Sequence, residues 1–171
     1  MLARLKQRIR DMSTIKALCL GAEKQAHLRG EDSPGAEHFL LSAIDLPDGT
    51  ARRAFERLDA NPDGLGAAIT EQYKTALAGI GVDPASLDQN VREPVTSTHA
   101  LFESKPSGQA IMQELAARKG GDKDKPLLSA DVLEVIAAMQ QGVAARALRA
   151  MGISPEALRE AARYESKNFS A

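Results

Sequence analysis

A chain of 171 residues has room for one domain with its own core and too little for that domain plus a nucleotide-driven motor. Its 43% apolar and 26% charged residues are the balance expected of a soluble globular protein, and its apolar runs fall well short of the roughly 18 residues that a membrane span takes. Twenty-two basic residues against 23 acidic ones leave a net charge of −1, which argues against a dedicated nucleic-acid binder.

The first segment is the basic one. Residues 1 to 29 carry Arg4, Lys6, Arg8, Arg10, Lys16, Lys24 and Arg29 against Asp11 and Glu23, a local charge of +5, so the remainder holds −6. This asymmetry could steer an anionic partner, although a solvated helix face is the plainer reading. No apolar stretch follows the early arginines as a secretory leader requires, so a cytoplasmic protein without a membrane partner is expected. Cys19, the single cysteine, cannot close a disulfide within the chain and falls on an apolar helix stripe, where a buried inert thiol is expected.

Taken in order, the elements read as helices. Ile15, Leu18, Cys19, Ala22 and Ala26 recur at spacings of three and four, which predicts an amphipathic helix that turns Lys16, Glu23 and Lys24 outward. The same spacing recurs at Phe39, Leu40, Ala43 and Ile44, then at Ala51, Ala54, Phe55 and Leu58. Three further stripes come later: Ile111, Met112 and Leu115; Val132, Leu133 and Ile136; Ala144, Ala147, Leu148 and Met151. Alternating strand patterns are absent from the sequence. Asn61-Pro62, Asp83-Pro84 and Ser154-Pro155 each mark a helix start, a capping side chain followed by a proline whose missing donor costs nothing at the first helical position. Gly120 to Pro126 and the stretch around Glu93-Pro94 lack periodicity and are expected to be loops. The fold class is therefore all-α, with Leu18, Phe39, Leu40, Phe55, Leu58, Ile111, Leu115, Leu133, Ile136 and Leu148 in the core.

Set over itself with a constant shift of 93, the chain pairs residues 15–69 with 108–162 without a gap. Nine of the paired positions are identical, among them Leu40 with Leu133, Gly49 with Gly142, Arg53 with Arg146 and Pro62 with Pro155. Apolar positions coincide as well, with Phe39 over Val132 and Phe55 over Leu148. A second register, Thr75 to Leu87 over Arg146 to Leu158, also fits, but the first extends over three successive helices and is preferred. Two copies of a helical unit with one apolar face bury both faces by packing together. The expected architecture is a bundle of two pseudo-twofold-related repeats, about 13–82 and 106–165, joined by an irregular segment around 88–105. A basic N-terminal helix, 1–12, precedes the repeats, and residues 166–171 form a tail after them.

Gly35-Ala36-Glu37-His38-Phe39-Leu40-Leu41 resembles the G-T-E-H-L-L-L signature of the Clp N-terminal repeat, the amino-terminal domain of the ClpA, ClpB and ClpC unfoldases. Gly49 to Leu58 resembles that repeat's G-x-A-x-x-x-L-x-x-L helix, and Ala22, Ala26, Leu28 and Gly30 stand where it has A-x-x-x-A-x-x-L-x-G. Gly142 to Ile153 is similar to its G-V-A-A-R-V-L-x-x-L-G-V. The likeness covers roughly residues 12 to 165. It implies a two-repeat helical domain that recognises adaptors, substrates or degradation tags and hands them to an AAA+ ring. No G-x-x-x-x-G-K-[ST] loop is present to cradle nucleotide phosphates, so the resemblance is to a free-standing Clp N-domain. A domain of that kind implies a non-enzymatic adaptor, decoy or regulator, a monomer or weak dimer without cofactor or metal, with Clp components, adaptors or substrates as partners.

Some ClpC-type members bind phosphorylated arginine in two equivalent pockets, where the signature glutamate holds the guanidinium and a threonine at the start of the first helix assists the phosphate. Glu37 matches the first glutamate. The first threonine position falls on Met12, with Ser13 and Thr14 the nearest hydroxyls. In the second repeat the matching positions are Ala130 and Lys105, so the resemblance implies one acid-bearing pocket per chain, with Lys105 able to meet a phosphate or carboxylate.

Two other functions are weighed against this. Glu23, His27, Glu37 and His38 could be imagined as a metal or acid-base cluster, yet there is no His-x-x-x-His pair and no second cysteine, and His99 stands alone near a turn. A helical DNA-binding regulator could use the basic first segment with Arg52, Arg53 and Arg57, but Glu56 and Asp59 stand beside them and the net charge is −1.

Overall fold

The computed structural model describes residues 2–83, 103–122 and 124–170, with side chains described from residue 4. These residues form α1 (Leu2–His27), α2 (Ala36–Ile44), α3 (Thr50–Arg57), a 3-10 turn (Pro62–Gly64), α4 (Leu65–Gly79), α5 (Pro106–Gly121), α6 (Ser129–Ala137), α7 (Val143–Ala150) and α8 (Pro155–Lys167). No strand occurs among the described residues, so the chain is all-α as its periodicity predicts. None of these helices is long and apolar enough to cross a membrane.

The proline-marked starts work as the sequence predicts. Asn61 accepts the Asp63 N–H at 3.0 Å, and Ser154 Oγ accepts the Ala157 N–H at 3.1 Å. The Asp83-Pro84 start, the Glu93-Pro94 loop and His99 lie outside the described residues. Three boundaries are corrected. α5 continues through Gly120 and Gly121, because the Asp122 N–H still reaches the Arg118 carbonyl at 3.2 Å. No break separates residues 1–12 from the first repeat, since one uninterrupted helix with no internal proline runs from Leu2 to His27. α8 extends to Lys167, which puts the tail's beginning at Asn168.

α2 and α6 are the central helices. All of α2 and all but Asp131 of α6 are buried, which explains why their sequences are apolar almost all round. Phe39, Phe55, Leu18, Leu40, Ile111, Leu133 and Ile136 have no exposed surface, and Leu115 and Leu148 have little. Leu58 departs from the expected core: as the C-cap of α3 it is only half-buried. α2 packs on α1 and α6, α3 on α8, and α4 on α7. Gly21 permits the first of these approaches, since a Cβ there would collide with Ser42, whose hydroxyl donates to the Leu18 carbonyl at 2.8 Å.

Polar side chains tie the remaining seams. Glu165 of α8, nearly buried, accepts from Arg53 Nε at 3.0 Å and Arg57 Nη2 at 2.9 Å, and the Arg57 guanidinium lies 3.6 Å from the centre of the Tyr164 ring. Glu134 of α6 takes Arg118 of α5 at 3.3 Å and Arg163 of α8 at 3.0 Å. Between the halves, the starts of α3 and α6 cap one another. Ser129 Oγ accepts the Ala51 N–H at 2.9 Å, Thr50 Oγ1 accepts the Ala130 N–H at 2.9 Å, and Asp48 accepts from both hydroxyls and from the Ser129 N–H.

The order of elements repeats along the chain. α2 and α6 begin at 36 and 129, α3 and α7 at 50 and 143, and the capped prolines stand at 62 and 155, each pair 93 apart. Local geometry repeats with them: the Gly35 N–H donates to His38 Nδ1 at 2.9 Å, and the Leu128 N–H donates to Asp131 Oδ2 at 2.8 Å. Each is the backward-reaching half of a capping box.

Candidate functional site

The site forms where α2 begins. Gly35 enters the helix in an extended conformation, and its N–H, bonded to His38, fixes the first turn. Glu37, in that turn, is left with its side chain only 6% exposed. Tyr73 of α4 reaches it and donates from Oη to Glu37 Oε1 at 2.6 Å. Opposite Tyr73, the start of α5 is drawn against the same turn: the Lys105 N–H donates to the Pro34 carbonyl at 2.9 Å, and Ser107 Oγ accepts the Ala36 N–H at 3.1 Å. Gly108 makes this approach possible, because an added Cβ would stand 2.8 Å from the Pro34 oxygen and 2.9 Å from the Phe39 ring. Lys105 Nζ then pairs with Glu31 and lies 3.8 Å from Glu37 Oε1.

Burial and charge set the protonation of these groups. Burial, then the hydrogen bond to Glu37, pushes the Tyr73 phenol above its ordinary range, so it stays a donor. Burial lowers the Lys105 ammonium from its usual value. His38 has no exposed surface; burial lowers its pKa, the charge of Glu37 opposes that shift, and Arg29 adds to it. Its Nδ1 already accepts the Gly35 N–H, so the 3.6 Å approach to Glu37 Oε1 is that of a neutral imidazole and not an ion pair.

Glu31, Glu37 and His38 offer ligand atoms within 4.8 Å of one another, a spacing a divalent cation could use. The donor set speaks against one. The lone pair of His38 Nδ1 is taken, and the Lys105 ammonium meets the charge of both carboxylates. Chemically the arrangement is an acid pocket, clamped by a phenol and edged by a lysine of the same chain that pairs first with Glu31.

Of the residues singled out from sequence, Glu37 and Lys105 come together. Lys105 therefore does not belong to a second pocket around Ala130, as the resemblance implied. The pocket joins the two halves, because α5 of the second half packs on α2 of the first. Ser13 is exposed and Thr14 partly so, on a stretch of α1 whose Asp11 accepts the Leu127 N–H at 3.0 Å, just before α6. Ala130 is fully buried, its N–H bound to Thr50. Tyr73 and Glu31 are site residues that the sequence does not single out. Tyr73 carries a signal, since it continues the Leu65 and Ile69 stripe at a spacing of four, whereas Glu31 lies in a loop with no periodicity.

The arginines of the DNA-binding alternative are engaged within the chain. Arg52 pairs with Asp63 at 2.9 Å, and Arg53 and Arg57 share Glu165. Cys19 is half-buried, and burial followed by the charge of Glu23 pushes its thiol up to about 11, which keeps it protonated and unreactive at neutral pH.

No protein-family profile matches the chain. It is similar to the chloroplastic chaperone protein ClpD of Arabidopsis thaliana, at 31% identity over 107 residues, which is 63% of this chain and 10% of that protein. The chain thus spans a tenth of the length of the curated relative it matches, and over the matched stretch it is related to a Clp chaperone.

Proposed function

We propose that the chain is a non-enzymatic recognition module of a Clp-type system, an adaptor, decoy or regulator, that takes an arginine-bearing tag at Glu37. The observation that carries this reading is the Glu37 carboxylate, almost buried, oriented by Tyr73 and already in company with an ammonium group. A carboxylate so placed accepts the paired N–H donors of a guanidinium, a charge-assisted interaction of about 1.5 to 3 kcal/mol. If the guanidinium is phosphorylated, Lys105 can turn from Glu31 to the phosphoryl oxygens. The two halves are read as copies of one helical unit, on the strength of the 93-residue spacing and of cross-pairings, α3 on α8 and α4 on α7, that exchange when the halves are exchanged. The second copy has Ala130 in place of the acid, which leaves one site per chain.

Calorimetric titration with phosphoarginine and with an arginine peptide tests this. One site is expected, with Glu37→Gln weakening both ligands about tenfold or more. Lys105→Ala should weaken phosphoarginine, which loses its phosphate contact, and leave the arginine peptide no weaker, because for that ligand the variant only removes a competing ammonium. Two sites, or full affinity in Glu37→Gln, would overturn the reading.

A second reading has its own observation. A concave, largely apolar pocket of about 250 Å³ opens between α6, α7 and α8, lined by Met139, Ala145, Leu148, Ile153 and Leu158 with Arg149. It suits an aliphatic side chain of a protein partner. Amide shifts on titration separate the two: changes at Glu37, Tyr73 and Lys105 support the acid pocket, changes at Met139, Ala145 and Ile153 the apolar one.

A further inference from the structure

α1 projects at its beginning. No residue from 4 to 10 is buried, and Asp11 is the first that is. On this projection Leu5 is 56% exposed, Ile9 60% and Met12 71%, and Leu20 further along is 54% exposed. With Lys16 in the gap, these positions lie within an arc of about 80° and extend about 22 Å along the helix, on a different side from Leu18, Ala22 and Ala26. Lys6 and Arg8 border the stripe, one on each edge. The helix has no acidic residue in its first turn, so its early basic side chains also face the positive end of the helix dipole. Before Asp11, this stretch is tied back by the exposed Arg4–Asp124 pair at 3.1 Å, and about two to three turns of helix with this charge are marginal in water on their own.

We infer that this stripe is a docking surface for an acidic amphipathic helix of a partner protein. Charge selects the occupant. Between residues 4 and 20 there are five basic residues, Arg4, Lys6, Arg8, Arg10 and Lys16, and one carboxylate, Asp11, which is turned inward to Lys119 and the Leu127 N–H. A second copy of the chain, in either orientation, would set these basic residues largely against their like, since Asp124, the acid beside them, is already paired with Arg4. A partner helix with acidic flanks relieves both that charge and the dipole. The width of the stripe favours a helix over a lipid surface: it is a narrow aliphatic seam at spacings of four and three, without an aromatic residue, and Lys16 interrupts it.

The test uses the full chain and a labelled peptide of about three heptads with Leu at the seam positions and Glu at the flanking ones. Fluorescence anisotropy should show binding that weakens with salt, and circular dichroism a gain of helix. The same peptide with Lys at the flanks should not bind. Ile9→Asp should weaken the acidic peptide about tenfold or more while leaving the thermal midpoint unchanged, since Ile9 contributes to no core. Equal binding of both peptides, or no effect of Ile9→Asp, overturns the proposal. So does binding to phosphatidylserine-containing vesicles in place of the acidic peptide, or a concentration-dependent dimer that Ile9→Asp abolishes.

Discussion

His38 occupies the one position of α2 where a titratable ring is sealed from water. Its Nδ1 accepts the Gly35 N–H, the backward-reaching half of a capping box, while its Nε2 is buried with no hydrogen-bond partner among the described residues. Protonating it would place a charge in that environment, so the folded chain holds its pKa below the ordinary 6.5. An unfolded chain binds this proton near pH 6.5 and the folded chain does not. Stability from neutral His38 is therefore fully present above about pH 6.5 and is lost as pH falls from there toward the folded value. Urea midpoints measured from about pH 7.5 down to 5.5 should decline, and His38→Asn, whose amide oxygen can still accept the Gly35 N–H, should flatten the decline. Asp131, whose carboxyl burial raises, acts with the opposite sign, so the comparison with the variant is the readout. An unchanged slope in His38→Asn would assign the dependence elsewhere. His38 was legible in the sequence as part of a signature, and a metal or acid-base cluster with Glu37 was set aside there. Its structural role comes from which of its nitrogens faces the backbone, and spacing does not encode that.

At the level of elements, the chain ends corresponding helices with different residues. α3 is followed by Asp59 at φ 53°, and α7 by Gly152 at φ 76°, positions 93 apart. A left-handed backbone costs an L-residue with a side chain roughly 1 kcal/mol, less for Asp than for most, and costs glycine nothing. Asp59→Gly should accordingly stabilise the fold by about 0.5 kcal/mol, the relief of strain being partly offset by the freedom that glycine adds to the unfolded chain. Thermal melts of the two proteins check the sign, and a clear destabilisation would mean that the Asp59 side chain supports the turn. Helices themselves were the most legible feature of the sequence, because 3.6-residue periodicity is local. Their limits were less so at α1 and α5, where a charge cluster and a pair of glycines resemble boundaries but the hydrogen-bond ladder continues through both.

For the whole molecule, the joint between the halves is the mutual capping of α3 and α6 around Asp48. That carboxylate accepts the Thr50 N–H, the Thr50 and Ser129 hydroxyls and the Ser129 N–H, at 2.5 to 3.0 Å. Removing it leaves buried donors without partners at two helix starts at once. Asp48→Ala should cost about 2 to 4 kcal/mol in a urea unfolding experiment, more than one lost cap, while Asp63→Ala, an exposed pair with Arg52, should cost less than about 1 kcal/mol. Similar losses in both variants would mean that the joint is not a cooperative unit.

The helical class, the core faces of α2, α3, α6 and α7 and the 93-residue recurrence are decided by residues close together in the chain, where spacing alone says which side chains share a face. The acid pocket is decided otherwise. Tyr73 lies 36 residues from Glu37, and Lys105 lies 74 from Glu31. These groups meet only because α4 packs near α2 and because Gly108 lets α5 approach Pro34 and Phe39. A resemblance assigned Lys105 to the second half by its place in the sequence. Packing of one half on the other moved it to the first, since long-range contact depends on how apolar faces close together, and no local pattern records that.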